Sequence, residues 1–121
     1  MKDIKFRYWD LTDSKMIYSE SHVTLESFFA FYETAEQFGK GATLMQYTGL
    51  MDANGREIFE GDLVRGSWSD KINSMVVKFQ SPSFVMMINE EKWSEFNIVG
   101  NQPYIVIGNI YETAKTAVEE N

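Results

Sequence analysis

One run constrains the fold more than any other. Between residues 43 and 64, three short β-prone stretches are set apart by two turn signals. Thr43-Leu44-Met45-Gln46-Tyr47 is a strand candidate. Thr48-Gly49-Leu50 lets the chain bend, and Asp52-Ala53-Asn54-Gly55 follows. Asn-Gly between apolar stretches is the short-range signature of a tight hairpin with positive φ. Arg56-Glu57-Ile58-Phe59 returns, Glu60-Gly61-Asp62 turns again, and residues 63–68 form the next strand. Ser69-Asp70-Lys71 makes a further turn. More strand candidates occupy 74–79, 84–88, 96–99 and 104–107, broken by Ser81-Pro82-Ser83 and Gly100-Asn101-Gln102-Pro103. Short strands at a spacing of about ten residues predict an antiparallel barrel or sandwich. About five or six of them in so short a chain suit a small, SH3-like, partly open antiparallel β-barrel.

The chain reaches this run through different elements. Residues 5–10 and 15–18 flank the turn Thr12-Asp13-Ser14 and read as a β-hairpin. Period 2 places Ile4, Phe6 and Tyr8 on one face and Lys5, Arg7 and Trp9 on the other. Over 24–38 the period changes. Leu25, Phe28, Phe29 and Tyr32 fall at i, i+3, i+4 and i+7, one face of an amphipathic helix. Thr24 caps its start, Glu26 suits its first turn, and Gly39-Lys40-Gly41 ends it. Phe31, Ala35 and Phe38 widen the apolar stripe, so the helix is expected to be well buried on one side. A strand pair, one helix and a run of strands is mainly β, or α+β, and excludes alternating βαβ folds with their nucleotide crevice. Residues 1–121 are read as a single domain: hairpin and helix over 1–42, barrel core over 43–111, and a tail over 112–121.

Composition narrows the function. The 121 residues are 44% hydrophobic and 15% aromatic, enough for a core of their own. The absence of cysteine excludes a disulfide scaffold, a thiol nucleophile and any thiolate metal site. The charged start MKDIKFRYWD is no signal peptide, and no apolar run is long enough to span a bilayer, so a cytoplasmic protein is expected. Eleven bases against eighteen acids leave a net charge of −7, the opposite of a nucleic-acid footprint. A nucleic-acid-associated regulator would need Lys2, Lys5, Arg7 and Lys15 to gather with Arg56 and Arg65 on the barrel face. The inverse reading is an acidic DNA mimic, with Glu26, Glu33 and Glu36 along the helix.

Chemistry-bearing constellations are sparse. The single histidine, His22, lies in Ser19-Glu20-Ser21-His22 just before the helix, a surface or cap position. Neither G-x-G-x-x-G, nor a P-loop, nor G-x-S-x-G occurs. Asp10 and Asp13 with Glu20, or Asp52 and Asn54 with Glu57 and Glu60, are acid groupings that could surround a hard cation. The Asp52 run departs from an EF-hand loop, with Arg56 at the fifth position and Leu63 at the twelfth, and a hairpin explains it without metal. No enzyme, no cofactor and no metal are expected. Trp9, Trp68, Trp93, Tyr8, Tyr47 and Tyr104 either fill the barrel or form a stacking platform, and the charges around Trp68 cancel. Met45, Met51, Met75, Met86 and Met87 read mainly as core filler.

Three segments together resemble the YopX family of phage and prophage proteins. They are residues 4–10 with 15–18, the run from Leu44 to Val64 with its center Asp52-Ala53-Asn54-Gly55-Arg56-Glu57-Ile58-Phe59-Glu60-Gly61-Asp62, and Ile107-Gly108-Asn109-Ile110-Tyr111-Glu112. The likeness covers both ends and the center, and is poor over 19–42 and 66–103. It implies a phage or prophage product in a Gram-positive host, a mainly β fold with a small barrel, cytoplasmic residence, and no established activity. The central motif is then either a folding signature or a partner surface made of Gln46, Tyr47, Asp52, Asn54, Arg56, Glu60 and Asp62, with Trp68 beyond it. The expected function is a non-enzymatic interaction module that binds a host or phage protein. Exposed sheet edges offer a route to a homo-oligomer.

Overall fold

The computed structural model describes residues 4–10, 13–22, 24–39, 43–67, 74–80, 83–88, 91–96 and 101–112. The chain divides into two compact units, Met1–Tyr47 and Thr48–Asn121.

In the first unit the period-2 pattern becomes a hairpin of β1 (Phe6–Asp10) and β2 (Lys15–Tyr18), in register from Arg7 opposite Tyr18 to Asp10 opposite Lys15. Ser14 adopts φ 53° in the turn, and Asp10 Oδ1 accepts the Asp13 N–H at 3.3 Å. β1 also pairs antiparallel with the start of β3 (Leu44–Met51), Phe6 opposite Gln46. A 3-10 turn, Ser19–Ser21, leads to α1 (Leu25–Gly39). Thr24 is its N-cap, as the sequence predicts: its hydroxyl accepts the Ser27 N–H at 3.0 Å. Phe28 is fully buried against Tyr8, with ring centroids 5.5 Å apart, and Phe6, Ile17, Phe29, Tyr32 and Leu44 pack around this pair.

Burial in this unit adds one finding to the sequence reading and corrects one expectation. Arg7, Tyr8 and Trp9 are 1%, 4% and 6% exposed, so β1 is covered on both faces and its alternation marks no wet side. The apolar stripe of α1 is narrower than its sequence: Leu25 is 41% and Phe31 60% exposed, while the side chains of Ala35 and Phe38 lie outside the described residues.

The second unit holds the rest of β3, β4 (Glu57–Phe59), and a five-stranded antiparallel sheet in the order β8-β7-β6-β5-β9. Its strands are β5 (Asp62–Gly66), β6 (Met75–Gln80), β7 (Ser83–Ile88), β8 (Glu91–Glu95) and β9 (Tyr104–Asn109). The inward positions of β5, β6, β7 and β9 meet Ile58 of β4 in one core: Val64, Met75, Val77, Met86, Tyr104 and Val106. Full burial of each is worth about 1.5–3 kcal/mol. The mainly β, barrel-like α+β fold expected from the spacing is present. β8 was not expected, because Glu91, Lys92, Ser94 and Glu95 give it no apolar alternation. It ends the sheet order, where charged residues are usual. Phe96 follows β8 and is not in a strand, and residues 97–99 of the strand predicted at 96–99 lie outside the described residues.

Candidate functional site

The central motif folds around two buried aspartates. Asp52, 1% exposed, binds its own hairpin loop with Oδ1, which accepts the N–H of Asn54 at 2.8 Å and of Arg56 at 2.9 Å. Its Oδ2 accepts the N–H of Val106 on β9 at 3.0 Å. The backbone completes the loop: Gly55 N–H donates to Asp52 C=O at 3.0 Å, and Asp52 N–H to Arg56 C=O at 2.8 Å. Gly55 has φ 83°, whereas Asn54 is not among the described residues with positive φ. The turn is therefore a three-residue loop with a left-handed glycine at its end, not a two-residue Asn-Gly turn.

Asp62, 2% exposed, repeats the device one turn later, with Oδ2 accepting the Phe59 N–H at 2.8 Å beside Gly61 at φ 88°. Thr48 ties the hairpin legs: its hydroxyl donates to Ile58 C=O at 2.7 Å and accepts the Leu50 N–H at 3.1 Å. Asn109, in the last of the three recognized segments, accepts the N–H groups of Tyr111 and Glu112 through Oδ1, at 3.0 and 2.9 Å.

This geometry corrects the picture of the motif's polar residues as one exposed set. Asp52, Asp62 and Tyr47 are buried, Glu60 is half-buried, and Gln46, Asn54 and Arg56 are exposed. Trp68 lies outside the described residues. The Asp52 carboxylate, one member of the hard-cation groupings, accepts from three backbone donors. Among the described residues no three His, Asp or Glu side chains gather as a metal site. Sequence reasoning missed the bond from Asp52 to Val106 because the partners stand 54 residues apart.

Of the two readings of the aromatics, core filling holds for the four that are described. Trp9, Tyr8, Tyr47 and Tyr104 are buried, and the Trp93 side chain lies outside the described residues. Among the described residues the most exposed aromatics are Phe31, at 60%, and Phe79, at 51%, whose ring meets Phe84 across the β6–β7 pair at 5.1 Å. Three of the cations wanted by the nucleic-acid reading are engaged within the first unit, and Lys2 lies outside the described residues. Arg7 is buried with its guanidinium 5.9 Å from the Tyr18 ring, Lys5 lies 3.5 Å from Glu20, and Lys15 lies 3.9 Å from Asp13.

The first unit carries an open surface depression of about 330 Å³ lined by Ile4, Lys5, Ser19, Glu20, His22, Thr24 and Leu25. Ile4 is 68% exposed. His22 Nδ1 lies 3.4 Å from the Tyr18 C=O, toward which it can only donate. The same ring packs 5.2 Å from Phe31. Sequence reasoning missed this face because helical period assigned Leu25 and Phe31 to the buried stripe.

Fold and motif together define a mainly β protein built around an aspartate-closed hairpin. The family profile described as YopX protein matches residues 5–116, and the chain belongs to the YopX family. Among solved structures it is similar to the crystal structure of protein EF1440 from Enterococcus faecalis, with a TM-score of 0.58, 20% identity, and coverage of 96% of this chain and 99% of that one. That likeness establishes the fold. No curated protein matches the chain.

Proposed function

We propose that this YopX-family protein is a non-enzymatic, phage- or prophage-encoded accessory protein that works in the cytoplasm of its bacterial host by binding a host or phage protein. The observation that carries the reading is the exposure of large apolar side chains on a strongly acidic chain. Ile4, Phe31 and Phe79 are 68%, 60% and 51% exposed while the net charge is −7. Exposed aromatic and aliphatic residues are the usual anchors of protein interfaces. The burial of Asp52 and Asp62 against backbone amides supports it further, because the motif's carboxylates already hold the fold together.

The test is affinity capture from a Gram-positive host lysate, with and without nuclease, followed by titration of the purified catch. A protein that survives nuclease and binds when purified is the expected result. A catch that disappears with nuclease overturns the reading in favor of nucleic acid, whose contacts weaken steeply with salt.

A further inference from the structure

We propose that Asn54 is a site of spontaneous deamidation and backbone isomerization, and that the Asp52 clamp around it sets how fast it reacts. The reaction needs an asparagine whose amide carbon is open to the main-chain nitrogen of the next residue. A following glycine, with no Cβ to crowd the approach, makes such an asparagine the most labile. Asn54-Gly55 is the chain's single Asn-Gly pair. Asn54 is exposed, and its side-chain amide has no partner among the described residues. A Cβ built on Gly55 meets nothing within 4 Å, so no neighboring group crowds the pair there. The other described asparagines differ. Asn109 is 3% exposed, its Oδ1 accepts the N–H groups of Tyr111 and Glu112, and the β-branched Ile110 follows it. Asn101 is exposed, but the next main-chain nitrogen belongs to the buried Gln102 and donates to Met51 C=O at 2.8 Å.

In the first step the Gly55 nitrogen gives up its proton and bonds to Asn54 Cγ. The Cγ–Nδ2 bond breaks, ammonia leaves, and a succinimide ring closes. Water then opens the ring. Attack at Cγ leaves an aspartate at position 54, and attack at the main-chain carbonyl leaves an isoaspartate, whose main chain runs through Cγ and is one methylene longer. The fold restrains the first step. The Gly55 N–H donates to Asp52 C=O at 3.0 Å, so the attacking nitrogen is committed elsewhere. The N–H groups of Asn54 and Arg56 both donate to Asp52 Oδ1, at 2.8 and 2.9 Å, which pins the main chain on either side of the reacting pair. Ring closure therefore waits for the hairpin to open locally. The isomerized product fits the clamp poorly. Its extra methylene falls between the two N–H groups that share Oδ1, while the other oxygen of the same carboxylate holds Val106. Either product also sets a second carboxylate near Asp52, and like charges repel.

The test incubates the full chain at mildly alkaline pH beside a synthetic peptide of residues 41–56, the fragment that trypsin releases between Lys40 and Arg56. Tryptic mass mapping with electron-transfer fragmentation distinguishes asparagine, aspartate and isoaspartate at position 54. Asn54 is expected to convert before any other asparagine, and about tenfold or more slowly in the folded chain than in the peptide. The full chain unfolded in guanidinium should convert at the peptide rate. Asp52→Ala should bring the rate under native conditions toward that of the peptide. Thr24→Ala, which weakens the helix start and leaves the hairpin intact, should not change it. The purified isoaspartate form should unfold at lower urea than Asn54→Asp, which adds the charge without the methylene. Another asparagine converting first, no product at position 54 when the peptide is consumed, or equal rates in folded chain and peptide overturns the proposal. A rise with Thr24→Ala as large as with Asp52→Ala also overturns it, because conversion would then follow unfolding of the chain and not release of the clamp.

Discussion

Single residues carry much of the central motif, and Gly55 isolates one term. It sits at φ 83°, and a Cβ built there meets nothing within 4 Å. Gly55→Ala therefore adds no clash, and its whole cost is the left-handed backbone, about 1 kcal/mol. Urea unfolding should show that loss, and Gly55→Asn should recover part of it. Tyr8 offers a titration in the opposite chemical regime. Burial first, and the nearby Asp10 charge second, raise its phenol above the ordinary 10.0. The folded state thus favors the neutral ring. That preference is fully present below the unfolded-state value and is lost as pH rises through the higher folded value. Stability should hold up to about pH 10 and then fall. In Tyr8→Phe, urea midpoints should decline less over that alkaline range.

At the scale of elements, the aspartate-closed hairpin does two jobs. It fixes the β3–β4 turn, and it covers the last strand of the sheet. β9 ends the sheet order, and its Val106 N–H and Tyr104 C=O are taken by the Asp52 carboxylate and the Ala53 N–H, 3.0 and 2.8 Å away. Gln102 N–H donates to Met51 C=O just before it, at 2.8 Å. An uncovered strand edge templates pairing with another chain. Asp52→Ala leaves three buried or half-buried N–H groups without their acceptor and should cost about 3–4 kcal/mol. It should also give a concentration-dependent increase in mass by light scattering as the β9 edge opens. A variant that keeps its stability and stays at one mass would show that Asp52 does neither job. The helix start is a smaller matter: Thr24→Ala removes the acceptor for Ser27 N–H and should cost about 1 kcal/mol, read from the thermal midpoint.

Over the whole molecule, charge governs how partners arrive. A net charge of −7 should steer a basic partner and repel an acidic one. Raising ionic strength roughly tenfold should slow association by about an order of magnitude while the dissociation rate moves little, a split that surface-based kinetics resolves. Unchanged association would mean that the apolar anchors act without help from the field.

The sequence by itself determined the features whose causes lie within a few residues. The Thr24 cap reaches Ser27, and positive φ falls on Gly55 in the hairpin that the Asn-Gly pair marks. Such contacts close through local backbone geometry, so they can be read from spacing. The family likeness was legible for the same reason, since its central segment is this self-contained pair of turns. Only the tertiary structure decided which faces are covered. Period 2 shows that Arg7 and Trp9 share a side of β1, but not that both become buried. Period 3.6 groups Leu25, Phe28 and Phe31, but packing covers Phe28 and leaves the other two in water. The second oxygen of Asp52 finds its donor 54 residues away. Burial is a property of what packs against a residue, and what packs there comes from distant chain, which no local pattern records.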